Sequence, residues 1–298
     1  MSPIETTLTE RDHALISDVY KYRYLSVSQL EKLHFPSKRT AYRRLSVLGD
    51  GGYLQNFTVP NIPERIYCLA RKGADLVAST LGVTITELQW SATTRAPKDY
   101  YFLRHFLEVN DFRIVLTSGC KDASIDLVGY IPEYFGTRTA QGGLKKYIKD
   151  VVCDIQTPTY EISHTPDAVF ALAKNGKPAL FFLEIDRGTE VVSDAEKGVL
   201  KSFRFYVNCL LREQYHRYEK DFRTGPFKGF RALVVTTSQE RINNMRNACS
   251  QLNVAQKAKQ FIWLTTEDLV SRESIFQPIW CSANRDDGTR YSISGEQK

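Results

Sequence analysis

The sequence lacks long hydrophobic runs and paired cysteines. No stretch of about twenty apolar residues occurs, so no transmembrane helix is expected. The opening residues, MSPIETTLTERD, are polar and acidic, unlike a secretory signal peptide. The six cysteines are scattered singly, which excludes a zinc ribbon or a CxxC redox site and indicates reduced thiols. These absences lead us to expect a cytoplasmic protein.

Several common catalytic fingerprints are also missing. The chain has no GxGxxG motif, no phosphate-binding P-loop and no GxSxG elbow, so dinucleotide-binding, P-loop and α/β-hydrolase chemistry are poor candidates. Its five histidines show neither HExxH spacing nor an HxH cluster, which argues against a histidine-based metal site.

The length and charge of the chain limit the number of domains and the kinds of partner to expect. A chain of 298 residues with 42% hydrophobic residues has material for about two domains. Forty basic and 34 acidic residues give a net charge of +6, which is compatible with nucleic acid but does not demonstrate it. We find no internal repeat and no low-complexity segment.

The first domain, residues 1–90, has the pattern of a winged helix-turn-helix. Three helical segments are followed by two strand-like runs, Tyr53–Val59 and Arg65–Leu69. Ser37 is a good N-cap for the third helix, KRTAYRRLSVLGD, and Gly51-Gly52 ends it. Three helices and a hairpin predict a DNA-binding module.

The third helix carries the candidate DNA contacts. Basic and hydrogen-bonding residues crowd its start, as a major-groove reader requires, and Arg65 near the wing is a candidate phosphate contact. A solvated helix face is the alternative interpretation. The predicted DNA-binding residues are Lys38, Arg39, Thr40, Arg43, Arg44 and Arg65.

We take the polar residues 91–99 as a linker, residues 100–283 as an α/β domain with a mixed sheet, and 284–298 as a flexible tail. The predicted order of elements is αβββαβαβ. The segment 134–164 is an insertion whose residues Lys145, Lys146 and Lys149 surround Tyr147. Basic residues beside an aromatic suit single-stranded DNA, although an ordinary solvated loop is an equal alternative.

Three acids lie at the ends of two adjoining apolar runs in TPDAVFALAKNGKPALFFLEIDRGT. Asp167 begins the first run, and Glu184 and Asp186 close the second. Because side chains alternate along a strand, Glu184 and Asp186 share one face. Unpaired acids are costly to bury, and oxygen ligands suit Mg²⁺ or Mn²⁺. The pattern therefore predicts a divalent-cation site, with a solvated strand end as the alternative for any one acid.

These residues resemble the PD-(D/E)xK core of restriction endonucleases. Pro166-Asp167 stands on one strand and Glu184-x-Asp186 on the next, but Asp186 occupies the position of the motif lysine. In some members the following helix supplies this lysine. Lys197 and Lys201 are available there, and we prefer Lys201 as the cation that stabilises charge on the phosphate.

The chain also resembles the replication-relaxation family of plasmid proteins, which includes the MobC class of conjugative relaxases. The resemblance rests on the winged helix followed by LRHFLEVNDFRI, TPDAVFAL and FFLEIDRGTE. It implies a metal-dependent endonuclease of the relaxase type, which nicks double-stranded DNA at an origin of transfer or replication. Single-stranded DNA and relaxosome or coupling proteins are further implied partners.

Weaker candidates lie on two helices and just before the PDA motif. His105, Glu108 and Asn110 belong to the helix that opens the second domain, and His164 precedes the PDA motif. Tyr206 is a candidate covalent nucleophile. The rival interpretations of function are a non-catalytic plasmid replication or transcription regulator and a restriction-like defence nuclease.

Overall fold

The structure is a computed structural model that describes residues 6–90, 99–138, 143–194 and 197–295. It divides into two compact units, Met1–Ile114 and Val115–Lys298. In the described ranges, no helix is both long enough and apolar enough to cross a membrane.

The first unit begins with four helices and three short strands. In chain order they are α1 (Glu10–Tyr22), β1 (Leu25–Ser26), α2 (Val27–His34), α3 (Lys38–Asp50), β2 (Leu54–Val59), β3 (Ile62–Leu69) and α4 (Arg71–Leu81).

Local sequence signals explain where these helices begin. Thr9 and Ser26 form capping boxes with Asp12 and Gln29, and the Ser37 side chain caps α3, so orphan N–H groups of the first turns are satisfied. The strands form a sheet of order β1-β3-β2. Three helices followed by this hairpin confirm the predicted winged helix-turn-helix.

The wing is tighter than the sequence indicated. Strand β3 begins at Ile62 and pairs Ile62 with Val59, so most of the segment expected as a loop, PNIPE, is strand. Asn61 makes the turn with φ 66°, a left-handed conformation that asparagine tolerates better than most residues. Arg65 consequently lies within β3, several residues from the tip.

A long helix, α5 (Tyr100–Ala123), follows. Its residues up to Ile114 belong to the first unit, where Ile114 joins the core of α1 to α4. The compact units therefore divide within α5, whereas the sequence predicts a boundary at residues 91–99. Most of that linker, residues 91–98, lies outside the described residues.

The described part of the second unit contains ten strands and three more helices. They are β4 (Asp126–Pro132), β5 (Gly136–Arg138), β6 (Leu144–Lys146), β7 (Asp150–Cys153), β8 (Glu161–His164), β9 (Ala168–Lys174), β10 (Lys177–Ile185), α6 (Val199–Leu211), α7 (Arg217–Phe222), β11 (Phe230–Thr236), α8 (Gln239–Ser250), β12 (Ile262–Thr266) and β13 (Cys281–Ser282). Short 3₁₀ turns lie at Gln214–His216, Gln256–Lys259 and Glu267–Leu269.

Six of these strands form one mixed sheet of order β13-β12-β11-β10-β9-β4. Strands β4, β9 and β10 are antiparallel neighbours, whereas β10, β11 and β12 run parallel. Buried side chains of α6 and α8 pack on one face around Phe182. The order αβββαβ, expected of a restriction-endonuclease-like core, is thereby confirmed, as is the α/β class.

The insertion between β4 and β9 is structured in its described part. It forms two separate hairpins, β5-β6 and β7-β8. The alternation in these three- and four-residue strands is too short to be recognised in the sequence. Helix α6 begins at Val199, after Gly198 adopts φ 73°.

Candidate active site and nucleic-acid interface

The β9–β10 hairpin brings two of the predicted acids together. Asn175 and Gly176 form its turn with positive φ angles, and the register that pairs Leu183 with Ala168 places Glu184 opposite Asp167. The Ile185 N–H donates to Asp167 Oδ2 at 2.7 Å. Asp167 and Glu184 therefore lie at one end of neighbouring strands, and their binding of a shared cation stays a prediction.

Glu184 is held by side chains from β8 and α6. His164 Nε2 lies 2.6 Å from Glu184 Oε1, and the Tyr206 hydroxyl donates to the same oxygen. The Ser202 hydroxyl lies 3.5 Å from His164 Nδ1. Ser202 and Tyr206 are one turn apart on α6, so one helix face closes the site.

Burial dominates the electrostatics of this group. The Glu184 side chain is four-fifths buried, and this burial raises the pKa of its carboxyl, although His164 and Tyr206 favour the charged form. The Asp167 carboxylate adds to the rise in the pKa of Glu184. Burial, followed by the charge of Glu184, raises the pKa of Tyr206 well above its usual value. Tyr206 therefore holds its proton.

This environment bears on Tyr206 as a candidate nucleophile. Its side chain is 0% exposed and its hydroxyl is committed to Glu184. A nucleophile needs access to the substrate and a proton acceptor that removes its hydrogen. The structure places Tyr206 at the site as a hydrogen-bond donor to a carboxylate.

Asp186 lies on the same sheet face but has other partners. Its carboxylate accepts two hydrogen bonds from Arg241 of α8, at 2.8 and 2.9 Å, and one from the Thr236 hydroxyl at 2.6 Å. Arg241 also donates to the Glu190 carbonyl at 2.7 Å. A carboxylate bound twice by a guanidinium is neutralised by it and does not require a metal ion. Asp186 thus anchors α8 and the loop after β10, whereas the sequence pattern predicts a metal ligand.

The candidate lysines lie at the start of α6. Lys201 precedes Ser202 and is partly exposed, whereas Lys197 is exposed before the helix begins. Ser202 and Tyr206 contact the His164–Glu184 pair, so Lys201 is in the helical turn that adjoins the site. Its role on the phosphate stays a prediction.

Within the described residues, no three His, Cys, Asp or Glu side chains form a group that could hold a metal ion. Asp167 and Glu184 nevertheless fit one particular kind of ion. Mg²⁺ is usually bound by one or two carboxylates and completes its shell with waters and substrate phosphates. A cation beside Glu184 would also favour the charged form of this carboxyl, and would thereby oppose the rise in its pKa that burial causes.

On α3, the structure separates the predicted DNA-binding cations into two kinds. Arg39 and Arg43 are exposed. Lys38 is paired with Glu64 at 2.5 Å, and Arg44 binds Asp12 through two nitrogens, at 2.8 and 2.5 Å. Arg44 thus has a structural partner that the sequence pattern did not indicate.

The other two predicted contacts also have definite places. The Thr40 hydroxyl lies 3.0 Å from the Ser37 hydroxyl in the cap of α3 and is half-buried. Arg65 is exposed on β3. Contact of either residue with DNA stays a prediction.

The weaker candidates of α5 belong to the first unit. Asn110 is buried and donates to the Tyr22 and Tyr24 carbonyls at 3.1 and 2.7 Å. Glu108 pairs with Arg104 at 3.0 Å, and His105 is half-buried. The described contacts of Asn110 and Glu108 lie within the first unit.

The insertion lysines are surface residues. Lys145 and Lys149 are exposed, and Lys146 pairs with Glu133. The Tyr147 hydroxyl donates to Asp221, and the Arg217 guanidinium lies 5.3 Å from the Tyr147 ring centre. Tyr147 is therefore partly occupied by contacts within the protein, and base stacking on it stays a prediction.

Sequence reasoning missed Ser202, Thr236 and Arg241. Thr236 and Arg241 contact Asp186, and Ser202 contacts His164, each across a gap of more than 30 residues. A polar residue on the apolar seam of a helix is a signal for Ser202, since Phe205 and Tyr206 of that seam are buried. We find no comparable signal for Arg241.

Comparison with known proteins gives one family and two structures. The family model of replication-relaxation proteins matches residues 16–224, more than half of the chain. No curated protein matches. The restriction endonuclease FokI bound to DNA aligns with 89% of this chain and 45% of its own, at 10% identity and a TM-score of 0.29. FokI in a second structure aligns with 81% and 41%, at 13% identity and a TM-score of 0.25.

This chain spans less than half the length of either FokI chain. Similarities at such TM-scores establish no shared fold. The fold class rests on the strand order and the helices described above, and the family rests on the match over residues 16–224.

Proposed function

The chain belongs to the replication-relaxation family, and from this premise we propose that it is a DNA-binding, metal-dependent nickase of the relaxase type. Helix α3 binds a defined double-stranded site, an origin of transfer or of replication. The second unit then cuts one strand at the Asp167–Glu184 site. Single-stranded DNA and partner proteins of a mobilisation complex are part of the same proposal.

One observation carries the catalytic part. Asp167 and Glu184 stand opposite each other at the ends of β9 and β10, with Glu184 largely buried. Buried carboxylates at one point are costly unless charge compensates them. A structural role alone does not require two acids in this position.

Each residue of the site has a separate proposed role at the scissile phosphate. Asp167 and Glu184 would hold Mg²⁺ or Mn²⁺, which when bound polarises a phosphoryl oxygen and acidifies a water. Tyr206 and His164 orient the Glu184 carboxylate through hydrogen bonds to Oε1. Lys201, on the adjoining helical turn, would place positive charge near the phosphate. Asp186 supports the site by fixing Arg241 and the loop that precedes α6.

A nicking assay on supercoiled plasmid DNA that carries the origin, with Mn²⁺, tests this function. The wild type should convert supercoiled to open circles, whereas Asp167→Ala and Glu184→Ala should not. Glu161→Ala is a matched control, because Glu161 is an exposed acid on β8, the strand that carries His164. Binding of the variants to the origin fragment should be unchanged, since α3 lies in the first unit.

The opposite result favours the non-catalytic regulator. If all three variants and the wild type leave the plasmid equally intact, or nick it equally, the catalytic role of Asp167 and Glu184 is wrong. A footprint on one plasmid site with no cutting would then identify a replication or transcription regulator. Cutting without a preferred site would instead indicate a defence nuclease.

A further inference from the structure

Helix α3 presents one solvent-facing stripe with a distinct composition. The stripe occupies helical positions i, i+3, i+4 and i+7, which are Arg39, Tyr42, Arg43 and Ser46. All four residues are exposed. Residues at this spacing share one helix face. The opposite face of the helix, formed by Ala41, Leu45 and Leu48, is fully buried.

The two other cations of α3 are occupied by carboxylates. Lys38 pairs with Glu64, which also accepts from the Ser28 N–H at 2.9 Å and from its hydroxyl. Burial raises the pKa of Glu64, but the bonds from Lys38 and Ser28 outweigh it and lower that pKa to about 2. Glu64 therefore stays charged and compensates Lys38 across the pH range in which proteins bind DNA.

The charge of Arg44 is also compensated by a carboxylate, and this carboxylate is more deeply buried than Glu64. Its guanidinium binds Asp12, whose side chain is 0% exposed, and also donates to the Thr7 carbonyl at 2.9 Å. An arginine bound twice by a buried carboxylate has little capacity left for a base edge. Lys38 and Arg44 therefore serve the fold of the first unit.

Arg39 and Arg43 are exposed, as Lys38 is, but they differ from this pair in their contacts. Within the described residues, neither has a carboxylate partner. Arg39 is the second residue of α3, and the N-terminal residues of a recognition helix contact base edges. Four residues of helix rise about 6 Å, which matches about two base-pair steps of about 3.4 Å each.

We infer that Arg39 and Arg43 are specificity-determining residues that read two guanines, about two base-pair steps apart, in the major groove. Arginine pairs bidentately with guanine O6 and N7. Tyr42, 40% exposed between the two arginines, adds an apolar contact to the intervening base pair. This inference rests on the proposed double-stranded DNA binding and deepens it.

Selection of binding sites from a randomised duplex pool tests the inference, with full-length wild type, Arg39→Lys and Arg43→Lys. Lysine keeps the charge but loses the bidentate fork. Lys38→Ala is the matched control, because it removes a cation from the same helical turn. The wild type should enrich a site with two guanines at this spacing. Each Arg→Lys variant should lose preference at one guanine by about 5- to 150-fold, with non-specific affinity unchanged.

Two failures are distinguishable. If the wild type enriches no sequence, site-specific double-stranded binding is wrong, and the inference falls with it. If the wild type enriches a site but both Arg→Lys variants keep its base preferences, DNA binding stands and the assignment of Arg39 and Arg43 is overturned. Relaxed preference in Lys38→Ala, equal to that of the arginine variants, would also overturn it.

Discussion

Replacement of Arg44 by Ala tests whether this arginine belongs to the fold or to the DNA surface. Arg44 Nε and Nη2 donate to Asp12 at 2.8 and 2.5 Å, and the Asp12 side chain is 0% exposed. Removal of the guanidinium leaves a buried carboxylate without its cation. The variant should therefore destabilise the contact between α1 and α3.

The shift in the pKa of Asp12 gives the expected size of the stability loss in Arg44→Ala. Burial raises this pKa, but hydrogen bonds from Arg44 and Thr9 outweigh it and lower the pKa from 3.8 to about 2. One pKa unit corresponds to about 1.4 kcal/mol, so the net shift, after burial is subtracted from the bonds, favours the charged form by about 2 kcal/mol. A fully buried pair costs about 3–5 kcal/mol to break. Because Arg44 is 22% exposed, solvent screening places the expected loss nearer about 2–3 kcal/mol.

Native-state hydrogen exchange of the full-length chain measures this loss locally. At neutral pH the amides of α1 and α3 should exchange about 30- to 150-fold faster in Arg44→Ala. A carboxyl whose pKa is lowered on folding stabilises the fold at pH values above its unfolded pKa. This stabilisation is lost as the pH falls through the folded pKa. The difference between variant and wild type should therefore shrink from about pH 4 to about pH 2.

Arg43→Ala is the control, because Arg43 lies next in sequence and is exposed. It should leave exchange in α1 and α3 unchanged and weaken DNA binding. The reasoning is refuted if Arg44→Ala exchanges like the wild type but loses DNA binding to the same degree as Arg43→Ala.

Two further substitutions test the packing around the site. Tyr206→Phe removes a donor to the Glu184 carboxylate, so the already raised pKa of Glu184 should rise further. In infrared difference spectra, the protonated carboxyl band that Glu184→Gln removes should then persist to higher pH than in the wild type; an equal or lower transition would contradict the assignment. Gly198→Ala should lower stability in urea unfolding by about 1–3 kcal/mol or more, because the new Cβ would lie 2.1 Å from the Val191 carbonyl oxygen at φ 73°. Gly176→Ala has the same φ but open space, so an equal loss there would show that backbone strain, not the close contact, sets the cost.

Much of the fold was predictable because its signals are local. Ser37 caps α3 and Gly51 follows its end, as the sequence indicated. The apolar run before Glu184 is strand β10, and RALVVT is strand β11. Caps, turns and apolar runs act over a few residues, so they can be recognised without knowledge of the partners.

The pairing of charges was not predictable in the same way. Asp186 looked like a third metal ligand, and Arg44 looked like a DNA contact. Their partners, Arg241 and Asp12, lie 55 and 32 residues away. A charged residue near a motif has the same appearance in the sequence whether its counter-ion is a protein side chain, a metal or a phosphate.

The sequence by itself determined the family resemblance, the winged helix, the order αβββαβ and the meeting of Asp167 with Glu184. These features follow from local capping, strand alternation and a short hairpin, whose two-residue turn leaves only one register. Only the tertiary structure decided that His164 and Tyr206 hold Glu184, that Asp186 anchors Arg241, and that Arg39 and Arg43 remain exposed on α3. The reason is physical. The free energy of a charge depends on its burial and on the groups within a few ångströms, and packing between distant segments sets both.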